Sequence, residues 1–165
     1  MSQSPTLPRE ARVRRLLDTA ESHARNRRAA RAVFFYRKVL ALAGSGEYER
    51  ELAHLRLADL HLGRGEPQGA VHHVGLAIKL GGQGPDYALL LGRALLELGR
   101  LDEAAAALHQ ALQDGPLRVE AFTLLGDVLA AQGDRTGAAA LIRHAAEGRP
   151  SDLALRRRLR ELSDA

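Results

Sequence analysis

The 165-residue chain has no cysteine and no tryptophan, a single methionine, and only 4% aromatic residues. Without thiols it has no disulfide framework, thiolate zinc site, iron–sulfur cluster or cysteine nucleophile. With so few aromatics, the core must be built mainly from Leu, Ala and Val. No run of about 18 uncharged apolar residues occurs, so no membrane-spanning helix is expected. The opening MSQSPTLPREARVRR lacks the apolar core of a secretory signal. Glu10, Asp18 and Glu21 interrupt the Arg-rich start and argue against a mitochondrial-type presequence. The expected location is therefore cytoplasmic. What is present, 45% hydrophobic and 27% charged residues, is the balance of a globular chain of one-domain size.

Charge is unevenly spread. Residues 1–50 carry 11 Lys/Arg against 5 Asp/Glu, whereas residues 51–150 carry 9 against 12. The basic surplus behind the net charge of +4 thus belongs to the first third of the chain. Such a surplus is a weak pointer to a polyanionic partner.

The most informative feature is an internal period. Gly92 recurs as Gly126, Gly99 as Gly133, Ala104 as Ala138, Ala111 as Ala145 and Pro116 as Pro150, each 34 residues on. One step back lie Ala58, Gly65, Ala70 and Ala77. Each unit reads as two helices. Leu91, Leu95 and Leu98 share one helical face, and Gly99 ends that helix because glycine accepts a left-handed cap cheaply. Ala104, Leu108, Ala111 and Leu112 make a second apolar stripe, closed by Gly115-Pro116. Glycine inside a helix costs about 1 kcal/mol relative to alanine. Gly92 and Gly126 therefore suggest a close crossing with Ala104 and Ala138.

This pattern of a small residue, then Gly, Ala, a bulky residue, Ala and Pro resembles the tetratricopeptide repeat. The likeness is specific in the last two units and good in 51–84, which ends in Gly82 rather than Pro. In the first unit Ala20, Ala32, Tyr36 and Val39 take the matching places, and about four extra residues lie around Gly44-Ser45-Gly46-Glu47. The resemblance implies an all-α, right-handed superhelical stack of about four helical hairpins plus a C-terminal capping helix. The expected organisation is a flexible tail (1–8), a repeat domain (9–150, with units at about 13–43, 51–84, 85–118 and 119–150) and a cap (151–165). In the cap Ser151 is the expected N-cap. Leu155, Leu159 and Leu162 would face the stack, and Arg156, Arg157, Arg158 and Arg160 would face water.

No P-loop, HExxH, GxSxG or GxGxxG motif occurs, and no enzymatic activity or cofactor is expected. Gly81-Gly82-Gln83-Gly84 reads as an inter-repeat turn. His54 and His61 fall where the family places core aromatics and are expected to pack rather than bind metal.

The resemblance implies a concave groove lined by the first helices, the usual peptide-binding surface of the family. The expected groove residues are Leu55, Arg56, Asp59, Leu62, Leu89, Arg93, Leu96, Glu97, Thr123 and Asp127, with Glu21 and Arg25 in the first unit. The Lys/Asn clamp for a terminal carboxylate is absent, since Leu17, Glu21, Leu55, Asp59, Leu89, Arg93, Thr123 and Asp127 occupy its positions. Asp59, Arg93 and Asp127 would either pair with one another or fix the register of a ligand. Phe34 and Phe35 suggest a weakly polar strip for self-association or partner docking. Arg27, Arg28, Arg31 and Lys38, beside Arg25 and Arg37, are the alternative site, for nucleic acid or an acidic partner. The expected function is non-catalytic protein–protein binding, as an adaptor, scaffold or chaperone-like module.

Overall fold

The computed structural model describes residues 7–42, 45–113 and 118–163, and every regular element among them is an α-helix. The expected tail lies outside these residues except for Leu7 and Pro8, as do Gly44, Gly115 and Pro116. The chain groups into two compact units, the first ending at Gly82 and the second beginning at Gln83.

The first unit holds α1 (Arg9–Arg25), α2 (Ala29–Ala41), α3 (Glu47–Leu62) and α4 (Pro67–Lys79). Helix α1 packs on α2, α2 on α3, and α3 on α4, so two hairpins stack in sequence order. Ala20, Ala32, Tyr36 and Val39, the residues at the repeat's small and bulky positions in the first unit, are all buried. They join Val13, Val33, Ala53 and Leu57 in one apolar cluster.

The second unit holds α5 (Pro85–Glu97), α6 (Leu101–Gln113), α7 (Arg118–Ala131), α8 (Arg135–Gly148) and α9 (Leu153–Ser163). Again the hairpins α5–α6 and α7–α8 stack through α6 and α7, and α9 closes the end against α8. The all-α stack of hairpins with a terminal cap is thus what the 34-residue period encodes.

Close helix crossing explains the mid-helix glycines. A Cβ placed on Gly92 would lie 2.6 Å from Leu108 Cγ and 3.4 Å from the Ala104 carbonyl oxygen. One on Gly126 would lie 2.9 Å from Ile142 Cδ1 and 3.3 Å from the Ala138 carbonyl oxygen. Leu108 and Ile142 are wholly buried, so neither side chain has free space to retreat into.

The hairpin turns share one hydrogen-bond pattern. Gly65, Gly99 and Gly133 have φ of 69°, 72° and 92°. The next N–H in each turn, of Glu66, Arg100 or Asp134, donates to the carbonyl five residues back at 2.9 Å. This is the Schellman closure of a helix C-terminus. The first repeat makes the same bond, from Arg28 N–H to the His23 carbonyl at 2.9 Å, but Arg27 takes the glycine's place at φ 55°. A Cβ in this left-handed region is unfavourable. Arg27→Gly should raise stability by about 0.5–1 kcal/mol, after the extra entropy of glycine in the unfolded chain is counted. Urea unfolding measures it, and an unchanged or lower midpoint would mean that Arg27 is not strained.

The cap forms as expected on its apolar side. Leu155 and Leu162 are buried and Leu159 packs against the same cluster, with Ile142 and Ala145 of α8. Its start is capped by Asp152 rather than Ser151: the Asp152 carboxylate accepts from the N–H groups of Ala154 and Leu155 at 3.0 and 3.3 Å. Asp152 immediately precedes α9, so its carboxylate is the one that reaches the free N–H groups of the first turn.

Candidate partner-binding faces

In the first unit, α3 carries Leu55 partly buried, with Arg56 and Asp59 exposed. Leu62 departs from the expected groove. It is 3% exposed and belongs to the core, as does Leu89 of the second unit at 8%. Neither is open to a ligand, because the hydrophobic period places them on the inward stripe of their helices.

In the second unit, α5 presents Arg93, Leu96 and Glu97, and α7 presents Thr123 and Asp127. The charges here are satisfied locally. Arg93 Nε lies 3.4 Å from Glu97 Oε1 on the same helix. Asp127 Oδ1 accepts from Arg158 of α9, at 3.1 Å from Nε and 3.0 Å from Nη2. Arg158 therefore does not simply face water as the sequence suggested. It ties the cap to the last first-type helix. The Thr123 hydroxyl donates to the Val119 carbonyl at 2.7 Å and is already spoken for. Between α7 and α9 lies an open cleft of about 460 Å³, whose lining includes Thr123, Leu124, Asp127, Arg149 and Arg158.

The histidines form a cluster that spacing only half revealed. His54 and His61 of α3 pack inward as expected, but onto His73 of α4. His54 Nδ1 and His73 Nδ1 are 2.9 Å apart, so one ring donates to the other. The His61 ring stacks on His73 at 5.2 Å between centroids, and its Nδ1 meets Glu66 Oε2 at 2.7 Å. Burial, then the neighbouring His54, His61, His72 and Arg37, pushes His73 down to about 4. Burial, Arg50 and His72 push His54 down as well. Among the described residues no group of three or more His, Asp or Glu is arranged to hold a metal ion.

The basic cluster is less unified than helical spacing implied. Arg27 sits in the α1–α2 turn, not on α2, while Arg28 precedes the helix and Arg31 lies in its first turn. Lys38 is two turns further, about 10 Å along the axis, and its ammonium lies 4.5 Å from the centroid of the Phe34 ring. Phe34 itself is 53% exposed, whereas Phe35 is partly buried and stacks on His23 at 5.4 Å.

Two family models match this chain. The one for the tetratricopeptide repeat covers residues 89–152. The one for anaphase-promoting complex, cyclosome, subunit 3 covers residues 25–111, more than half of the chain. The chain belongs to the tetratricopeptide repeat family. Its fold is similar to that of MamA, with a TM-score of 0.76 and 17% identity over 92% of this chain and 81% of MamA. A chain of the Cut9–Hcn1 hetero-tetramer of the APC/C gives 0.79 and 18% over 89% of this chain, which spans only 29% of that larger one. YrrB, a tetratricopeptide repeat protein with an unusual peptide-binding site, gives 0.69 and 21% over 85% of this chain and 70% of YrrB. No curated protein sequence matches. At such identities the likeness establishes the shared fold of this repeat protein. No helix among the described residues is long and apolar enough to cross a membrane.

Proposed function

We propose that this repeat protein is a non-catalytic protein–protein interaction module that binds a peptide or helix of a partner along its first-type helices. The supporting observation is on α5 and α7. There Leu96 remains partly exposed beside Arg93 and Glu97, and Thr123 and Asp127 border an open cleft. Apolar surface of this kind, framed by charges with fixed positions, gives a ligand both affinity and register. The Arg93–Glu97 and Asp127–Arg158 pairs hold their side chains in place before a ligand arrives, which lowers the entropic cost of binding.

The test is affinity capture with the full chain as bait, comparing wild type, Leu96→Glu and Ala106→Glu. Ala106 is exposed on α6, the second helix of the same hairpin. Partners retained by wild type and Ala106→Glu should be depleted at least tenfold by Leu96→Glu, with all three baits giving the same helical circular dichroism. An identical set of partners on all three baits would count against this face.

A further inference from the structure

The first unit contains a cleft that its described residues leave unfilled. Its volume is about 380 Å³. Glu21 and Arg25 of α1 form one wall, Arg56 and Asp59 of α3 the other, and Tyr36 of α2 lies between them.

Tyr36 is 1% exposed, yet its hydroxyl has no hydrogen-bond partner among the described residues. No side-chain nitrogen or oxygen among them is both sealed from solvent and unpartnered, so this oxygen opens onto the cleft. A buried phenol ordinarily finds a partner within the fold. The four charges are also unspent. Glu21 and Arg25 stand at i and i+4, Arg56 and Asp59 at i and i+3, spacings that favour ion pairs. None of the four makes one within the described residues, unlike Arg93 and Asp127 in the second unit. All four nonetheless act on Tyr36. Burial first, then Glu21, raises its pKa to about 12; Asp59 adds to the rise, while Arg56 and Arg25 oppose it. The phenol therefore stays protonated and serves as a donor at any physiological pH.

We infer that this cleft is a recognition subsite for an internal peptide segment of a protein partner bearing one acidic and one basic side chain close together. The acidic carboxylate accepts from the Tyr36 hydroxyl between Arg25 and Arg56, and the basic group pairs with Glu21 or Asp59. Charge complementarity selects this ligand. A polyanion would meet Glu21 and Asp59, a polycation would meet Arg25 and Arg56, and only a mixed pair gains from both walls. The inference rests on the partner-binding reading above but concerns only residues of the first unit.

The test titrates the ¹⁵N-labelled full chain with heptapeptides of Ala and Gly, acetylated and amidated so that no terminal charge contributes. One carries adjacent Glu and Arg, one two Glu, and one two Arg. The mixed peptide should shift the amides of residues 21–25 and 56–60 and bind at least fivefold more tightly than either like-charged peptide. Tyr36→Phe, which keeps the buried ring, should weaken it about tenfold, the loss of one hydrogen bond to a charged acceptor. The double variant Arg25→Glu/Arg56→Glu, whose side chains are exposed, should abolish the preference even if Tyr36→Phe proves unstable. Equal binding of the three peptides, an unchanged affinity for Tyr36→Phe, or no shifts in the first unit would each overturn the subsite. Loss of partners from Leu96→Glu is read on the second unit alone, so failure here is distinguishable from failure there.

Discussion

Gly92→Ala should destabilise the protein by about 1–3 kcal/mol, the cost of one methyl forced into a filled core. Helix propensity alone predicts the opposite sign, since alanine is favoured over glycine inside a helix by about 1 kcal/mol. Packing wins because the added Cβ would stand 2.6 Å from Leu108 Cγ, and Leu108 has no exposed surface toward which to swing. Leu108→Ala should cost more, about 2–5 kcal/mol, through lost burial and the cavity left behind. The combination separates these effects. In Gly92→Ala/Leu108→Ala the new methyl no longer clashes and partly fills the void, so the double variant should be more stable than the sum of the singles by at least about 1 kcal/mol. Urea unfolding of the four proteins measures the cycle. Strict additivity would mean that Gly92 and Leu108 are not in direct contact. The same cycle at Gly126 and Ile142 should repeat the result one period later.

Acid should weaken the first unit through its histidines. In the unfolded chain His73 titrates near 6.5, while in the fold it titrates at about 4. Protons therefore bind the unfolded chain preferentially between these values. Its contribution to stability is intact above pH 6.5 and falls as the pH drops toward 4, by about 1–2 kcal/mol over that window once solvent screening of the partly exposed ring is counted. His54 acts in the same direction, since burial also lowers it. The groups facing His73 sharpen the effect. His54, His61, His72 and Arg37 all disfavour a second positive charge, and Glu66 is engaged with His61. Carboxylates elsewhere titrate in the same range, so the readout is a difference. Stability at pH 7.5 minus stability at pH 4 should be smaller by about 1–2 kcal/mol in His73→Gln than in wild type. An equal loss in both proteins would remove His73 as the acid-sensitive group.

The repeat architecture was legible because small residues have few substitutes where backbones cross. Gly92 and Gly126, with Ala104 and Ala138 across from them, recur at one interval because each pair sits at the same close contact. The left-handed turns were legible at Gly65, Gly99 and Gly133 for a similar reason, and invisible at Arg27, where the same conformation is forced on a residue that does not advertise it. Tertiary pairings were the main omission. That Asp127 meets Arg158, or that His73 completes the His54–His61 pair, depends on which helix faces which, and linear spacing does not carry it. The groove forecast erred at Leu62 and Leu89 because a leucine beside a first-helix surface position and one on its buried stripe look alike in sequence. Tyr36 shows the reverse: its burial was expected from its core position, but not the opening of its hydroxyl onto a charged cleft.

The first helix of each hairpin is proposed to carry the binding function. Hydrogen exchange on the full chain, alone and saturated with a partner that Leu96→Glu fails to retain, tests it most directly. Added protection in α5 and α7, with α6 and α8 unchanged, is the predicted result. Protection confined to α6 and α8 would contradict it.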